Sequence, residues 1–235
     1  MIRLPTLALL PVVVPQALWV AARAERLPEA DGPRSGESGE GPVMRLLIVG
    51  DSSAAGVGVA HQNDALSGRL VARLSKTATV QWSVWAASGL TTSGVLRRLA
   101  AEPVQQFDIA VLAVGVNDAK NGVHATRWSA NYRELLRVLR ARFGVDLVLA
   151  SGVPPLEHFP LLPRPLRTVL GARAAHFDDV LGKICAASDG VTHMPFGLPL
   201  DSTQMASDGF HPGAAIYDLW AERLAAAIRE QRPTY

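Results

Sequence analysis

The sequence has a single cysteine, no long block of like charge and no internal repeat, and each absence removes a class of protein. Cys185 has no second cysteine with which to close an internal disulfide, and no Cys/His cluster has the spacing of a structural zinc site. Charged residues make up only 19%, with Lys plus Arg at 23 against Asp plus Glu at 21. A net charge of +2 without a basic stripe argues against nucleic acid as a partner. No solenoid period recurs. A nucleotide-binding glycine loop is also missing. Gly56-Val57-Gly58 lacks the third glycine of a G-x-G-x-x-G turn, where His61 stands instead, and no Gly-Lys-Ser/Thr is present for a phosphate loop. What remains is a chain of 235 residues, 49% hydrophobic, enough for one large packed domain.

Residues 1–24 form an apolar N-terminal segment. From Leu4 to Ala22 there is no charge, close to the ~20 residues that a bilayer-spanning helix needs, but Pro5, Pro11 and Pro15 interrupt the run. Arg3 before it and Ala22-Arg23-Ala24 after it have the form of a secretory signal with its cleavage site. Anchor, signal and helix packed on the domain are the three readings. Membrane contact through residues 4–22 or export to the cell envelope is expected ahead of a cytoplasmic location. Residues 25–45 mix Pro28, Pro33 and Pro42 with four glycines and several carboxylates and read as a linker, which leaves 46–235 as the folded domain.

Leu46-Leu47-Ile48-Val49 is a short apolar run ending at Gly50, the pattern of a strand buried on both faces. The same pattern returns at Val80–Val84, Ile109–Val114 and Leu147–Ala150, and less strongly at Val191–Met194. Helical periodicity lies between these runs, at Asp64–Leu74, Thr92–Ala101, Thr126–Phe143 and Gly213–Ile228. Alternation of this kind predicts an α/β sandwich around a mainly parallel five-stranded sheet.

Ligands in such folds bind beyond the carboxyl ends of the strands. There the sequence places Gly50-Asp51-Ser52-Ser53, then Ser88-Gly89, then Gly115-Val116-Asn117-Asp118, and before the last helix Asp208-Gly209-Phe210-His211-Pro212. A serine hydroxyl needs a base to become a nucleophile, and a neutral histidine is the usual one. An Asp three residues before a His on one loop can hold imidazole Nδ1 and leave Nε2 for the serine, which is the spacing of Asp208 and His211. The backbone N–H groups of Ser52 and Gly89 and the side-chain amide of Asn117 are candidate donors to a developing oxyanion. Read singly, Asp51-Ser52 can be a helix N-cap, and Asn117-Asp118 and Asp208–Pro212 can be turns.

Together, and in this order, the four segments resemble the motif blocks of the SGNH (GDSL-type) hydrolase family, over Leu46 to about Ile228. The resemblance implies a flavodoxin-like three-layer α/β/α fold. It also implies ester hydrolysis without cofactor or metal, with Ser52 as nucleophile, His211 as base, Asp208 as its orienter, and Ser52, Gly89 and Asn117 as the oxyanion hole. Two positions depart from the family pattern. Ser53 stands where the name motif has Leu, and Trp85-Ala86-Ala87-Ser88 leads to Gly89 where many members have an Asn.

A small-molecule ester or thioester of a small to medium acyl group is the expected substrate, with lysophospholipid and sugar O-acetyl esters as alternatives inside the family. Outside it stand a metal-dependent phosphoesterase, built on Asp51 and Asp118, and a binding protein that has lost turnover; the latter would lack a triad member. The segment from Pro154 to Pro165, with Leu156, Phe159, Leu161 and Leu162, can line an acyl pocket or be a rigid packed loop. His61, His124, His158, His176 and His193 read as surface or structural.

Overall fold

A computed structural model describes the backbone of residues 4–197 and 203–235, and the side chains of 9–197 and 203–235. Its centre is β2 (Val43–Gly50), whose last five residues are buried. On either side of it run β3 (Thr79–Ala86) and β4 (Ile109–Ala113), both parallel to it, followed outward from β4 by β5 (Leu147–Ser151) and β6 (Val191–Met194). Alternate residues of β2 serve two cores. Leu47 and Val49 face α3 (Thr92–Ala101), α5 (Ala125–Phe143) and α6 (Leu166–Ala186), while Leu46 and Ile48 face α2 (Leu66–Leu74) and α7 (Ala214–Gln231). That double burial is why the strand sequence is continuously apolar, and it makes the molecule a three-layer α/β/α sandwich.

The sheet has six strands, where five were expected. The additional one is β1 (Ser35–Ser38), which pairs antiparallel with β3 and gives the order β1-β3-β2-β4-β5-β6. It lies inside the stretch expected to be a linker, and Asp31 also forms a bridge to His61, so 25–45 is laid onto the domain. The five parallel strands sit where the apolar runs put them. Gly144 ends α5 in a left-handed turn, φ +65°, as a helix stop requires.

Among the described residues, α4 (Val116–Lys120) and α6 were not expected from periodicity, while α1 (Leu4–Arg23) is the packed helix among the three readings of the N-terminal segment. α1 is helical through Pro11 and Pro15. It docks on the domain through Val13 and Val20, both buried, with Leu9 partly buried. Its Gln16 side chain donates to the Arg164 carbonyl at 2.7 Å and accepts from the Leu166 N–H at 3.1 Å. Among the described residues, no helix is long and apolar enough to cross a membrane.

Candidate active site

After β2 the chain turns tightly. The Ala55 N–H donates to the Asp51 carbonyl at 3.0 Å and the Val57 N–H to that of Ser52 at 3.0 Å. The Tyr217 hydroxyl, from α7, closes the turn with its one hydrogen, directed at the Val57 carbonyl at 2.7 Å with that of Ser53 at 3.1 Å. This holds Ser52 at the carboxyl end of the central strand. The loop before α7 brings His211 to it: Nε2 lies 2.9 Å from Ser52 Oγ, and Nδ1 lies 2.5 Å from Asp208 Oδ2. Asp208 Oδ1 accepts the N–H groups of Phe210 and His211, each at 2.9 Å, so the carboxylate cannot rotate without losing both. Burial pushes the Asp208 carboxyl up, but the bonds from His211 and Phe210 outweigh it and hold the group below the usual carboxylate range. The imidazole is packed edge-on against Phe210, ring centroids 5.3 Å apart, and Phe210 in turn against Phe159 at 5.1 Å.

The other two blocks follow β3 and β4, the parallel neighbours of β2, at the same end of the sheet. Gly89 has φ +79°, with no atom within 4 Å of where a Cβ would stand. A side chain there would be strained and would project into open space, so glycine keeps the backbone N–H accessible. Asn117, on α4, spends one amide hydrogen on the Leu90 carbonyl at 3.1 Å and has a second to offer. Asp118 fixes the same loop by accepting both the N–H and the hydroxyl of Thr92, at 2.8 and 3.0 Å. Neither Ser52 N–H nor Gly89 N–H is used by another group among the described residues. The arrangement thus presents a hydroxyl with a base on it and, bordering the same cavity, Asn117 with an amide hydrogen to spare, which suits attack on a carbonyl carbon.

Between these blocks lies a cavity of about 40 Å³. Ser52 and Asn117 border it, and Val114, Val153, Pro154, Phe159, Phe196 and Phe210 make its wall apolar. The segment from Pro154 to Pro165 therefore contributes to the pocket through Pro154 and Phe159, while Leu156 and Leu162 are buried beneath it. His193, read as structural, is paired with Asp178 at 2.9 Å, and Asp178 accepts the Val153 N–H at 2.9 Å, so this pair braces the pocket wall. His61 and His124 accept from nearby backbone N–H groups at helix starts.

Asp51 is 2% exposed and accepts the Ser53 N–H at 3.1 Å; burial pushes its carboxyl up to about 6. Among the described residues, no group of three or more His, Cys, Asp or Glu side chains is close enough together to hold a metal ion.

One participant was invisible in the sequence. Glu29 Oε1 accepts the Ser88 N–H at 2.6 Å, while Oε2 pairs with Arg34 at 2.6 Å. Arg34 donates to the Ala86 carbonyl at 3.0 Å. Burial raises the Glu29 carboxyl, but the Ser88 and Arg34 contacts prevail and leave it lowered. No spacing rule links residues 59 apart in the chain.

Among the solved structures that resemble this one are several esterases. TesA superposes with a TM-score of 0.64 at 23% identity, covering 82% of this chain and 100% of its own. The psychrotrophic esterase EstA from Pseudoalteromonas sp., inhibited by monoethylphosphonate in that structure, gives 0.58 at 21%, over 80% of this chain and 97% of EstA. A family two carbohydrate esterase from Clostridium thermocellum, in complex with cellohexaose, gives 0.62 at 16%, over 82% of this chain and 65% of that one. No curated protein matches the sequence. The model of the GDSL-like lipase/acylhydrolase family matches residues 48–219, from the central strand into the last helix and across all four blocks around Ser52. The chain belongs to the GDSL-like lipase/acylhydrolase family.

Proposed function

We propose that this carboxylic ester hydrolase works through an acyl-enzyme on Ser52, on esters or thioesters of small acyl groups. The observation that carries the reading is the pair of contacts on one imidazole: Ser52 Oγ at Nε2 and Asp208 at Nδ1. Ser52 Oγ attacks the carbonyl carbon as its proton passes to His211 Nε2. The carbonyl oxygen, now carrying the charge, meets the Ser52 and Gly89 N–H groups and the free amide hydrogen of Asn117. Collapse breaks the bond to the alcohol or thiol, which leaves with the proton from His211. Water then repeats the sequence and frees the acid. A cavity of about 40 Å³ with an apolar wall suits an acyl group of few carbons and supports the short end of the small-to-medium range. Sugar O-acetyl esters fit that size, and a carbohydrate esterase is among the structural neighbours.

Intact-protein mass after treatment with an alkyl phosphonate should show one adduct, absent in Ser52→Ala, and that variant should lose on the order of 10⁴ or more in turnover. On esters that share one leaving group, kcat/KM should be highest for acetyl to butyryl chains. Labelling that persists in Ser52→Ala, or hydrolysis that requires an added divalent metal, overturns the mechanism. A preference for long chains overturns only the assignment of acyl size.

A further inference from the structure

Five of the seven large hydrophobic side chains exposed among the described residues lie on one element, α1: Leu10, Val12, Val14, Leu18 and Trp19. The inner face of this helix is already occupied by its contact with the domain through Val13, Gln16 and Val20. The outer face is therefore an unpartnered apolar strip. Leu18 is 67% and Trp19 52% exposed, well beyond the scattered apolar exposure of an ordinary surface.

The charges around the strip indicate what covers it. Arg23 lies over the Trp19 ring at 5.2 Å, and Arg26, just beyond the helix, and Arg164, on the loop that Gln16 grips, are also exposed. The one carboxylate next to them, Glu25, accepts from the Ser207 hydroxyl at 2.8 Å and leaves the three arginines in excess. An apolar strip with an interfacial tryptophan and a fringe of arginines complements a bilayer rich in anionic headgroups. With its inner face held by the domain, and with no described helix long and apolar enough to cross a membrane, the helix would meet a bilayer through its outer face alone.

We propose that α1 is a docking helix for an anionic lipid surface, lying flat in the headgroup layer with Leu10, Val14, Leu18 and Trp19 toward the acyl chains. Gln16 of the docked helix, and Glu25 two residues beyond its end, are hydrogen-bonded to the two loops that carry Phe159 and His211.

Sedimentation of the full chain with vesicles tests this, using phosphatidylcholine alone and phosphatidylcholine with roughly 30% phosphatidylglycerol. The protein should pellet with the anionic vesicles, and salt should weaken the association. Leu18→Glu with Trp19→Ser should abolish it, and Arg23→Glu with Arg26→Glu should weaken it on the order of tenfold. All four substituted positions are exposed, so both variants should keep the parent's melting temperature and its rate on a soluble short-chain ester. Equal binding to both kinds of vesicle overturns the assignment to anionic lipid. Failure to pellet overturns docking altogether, and if light scattering then shows a dimer that Leu18→Glu with Trp19→Ser dissociates, the strip belongs to a second copy of the chain. Because hydrolysis of the soluble ester is read separately, loss of docking and loss of the Ser52 mechanism are distinguishable.

Discussion

Glu29 accepts the backbone N–H of Ser88 at 2.6 Å, one residue before the N–H that Gly89 leaves unspent. Since Arg34 pairs with the same carboxylate and also donates to the Ala86 carbonyl, the loop from Ala86 to Ser88 is clamped at both ends by a segment that touches neither Ser52 nor His211. The clamp fixes the Ala87–Ser88 peptide, the one before the peptide whose N–H Gly89 carries, and a donor to an oxyanion is useful only if aimed beforehand.

Glu29→Ala should therefore lower kcat about tenfold and leave KM within about twofold, the pattern of a contact realised in the transition state. Glu29→Gln keeps an acceptor oxygen for the Ser88 N–H and should restore most of the rate. Steady-state kinetics on a soluble ester decide the matter; an unchanged kcat in Glu29→Ala would mean that the loop holds its shape unaided.

Asn117 has one amide hydrogen bound to the Leu90 carbonyl and one free. Asn117→Ala should cost about 10² to 10³ in kcat with a smaller change in KM. A raised KM with kcat intact would assign Asn117 to substrate binding alone.

Asp208 and Asp51 should move stability in opposite directions with pH. Asp208 is held below the ordinary carboxylate range, so its contribution is present above the pKa of the unfolded chain and is lost as pH falls through its lowered folded value. Asp208→Asn should reduce turnover on the order of 10³ to 10⁴ by disturbing the imidazole tautomer. It should also lower the melting temperature at neutral pH by an amount that shrinks on acidification. A melting difference that stays constant with pH would contradict the linkage.

For Asp51 the carboxyl is pushed up to about 6 by burial, so the folded state bears a charge penalty above that pH that the unfolded chain does not. The penalty, about 3 kcal/mol at most, fades as pH falls from 6 toward the ordinary range near 4. Asp51→Asn retains the oxygen that accepts the Ser53 N–H and should raise the melting temperature at about pH 8 by a few degrees, with the gain shrinking to about a third of that at about pH 4.5. Thermal scans at the two pH values check this, and a loss of stability at the higher one would refute it.

Much of this is legible in the sequence itself. The parallel strands announce themselves because burial on both faces leaves Leu46 to Val49 no room for a polar residue, and Asp208 and His211 stand on one short loop, where spacing alone brings their side chains together. β1 is different in kind: Ser-Gly-Glu-Ser is held by the backbone ladder to β3 and is mostly exposed, so no apolar pattern marks it. α6 buries Gly171 and Ala174 among its larger residues, and small side chains blur the contrast on which periodicity depends. The prolines of α1 predict a broken segment, whereas the structure keeps one helix whose inner face is paired. Glu29 was out of reach because its partner is set by the path of the chain across the sheet.

The stretch from Glu25 to Arg45 also changes where this protein can safely be cut. β3 is eight residues long, and β1 covers the half of its outer rim from Val80 to Ser83. A chain begun at Leu46, where the apolar pattern starts, would leave that rim bare and shorten β2 as well, offering a ready template on which another molecule's strand can grow. It would also lose the carboxylate that holds the Ser88 N–H, one residue before Gly89. Such a fragment would be drawn to itself and slowed at its chemistry by the same missing residues, so its failure would say nothing about Ser52.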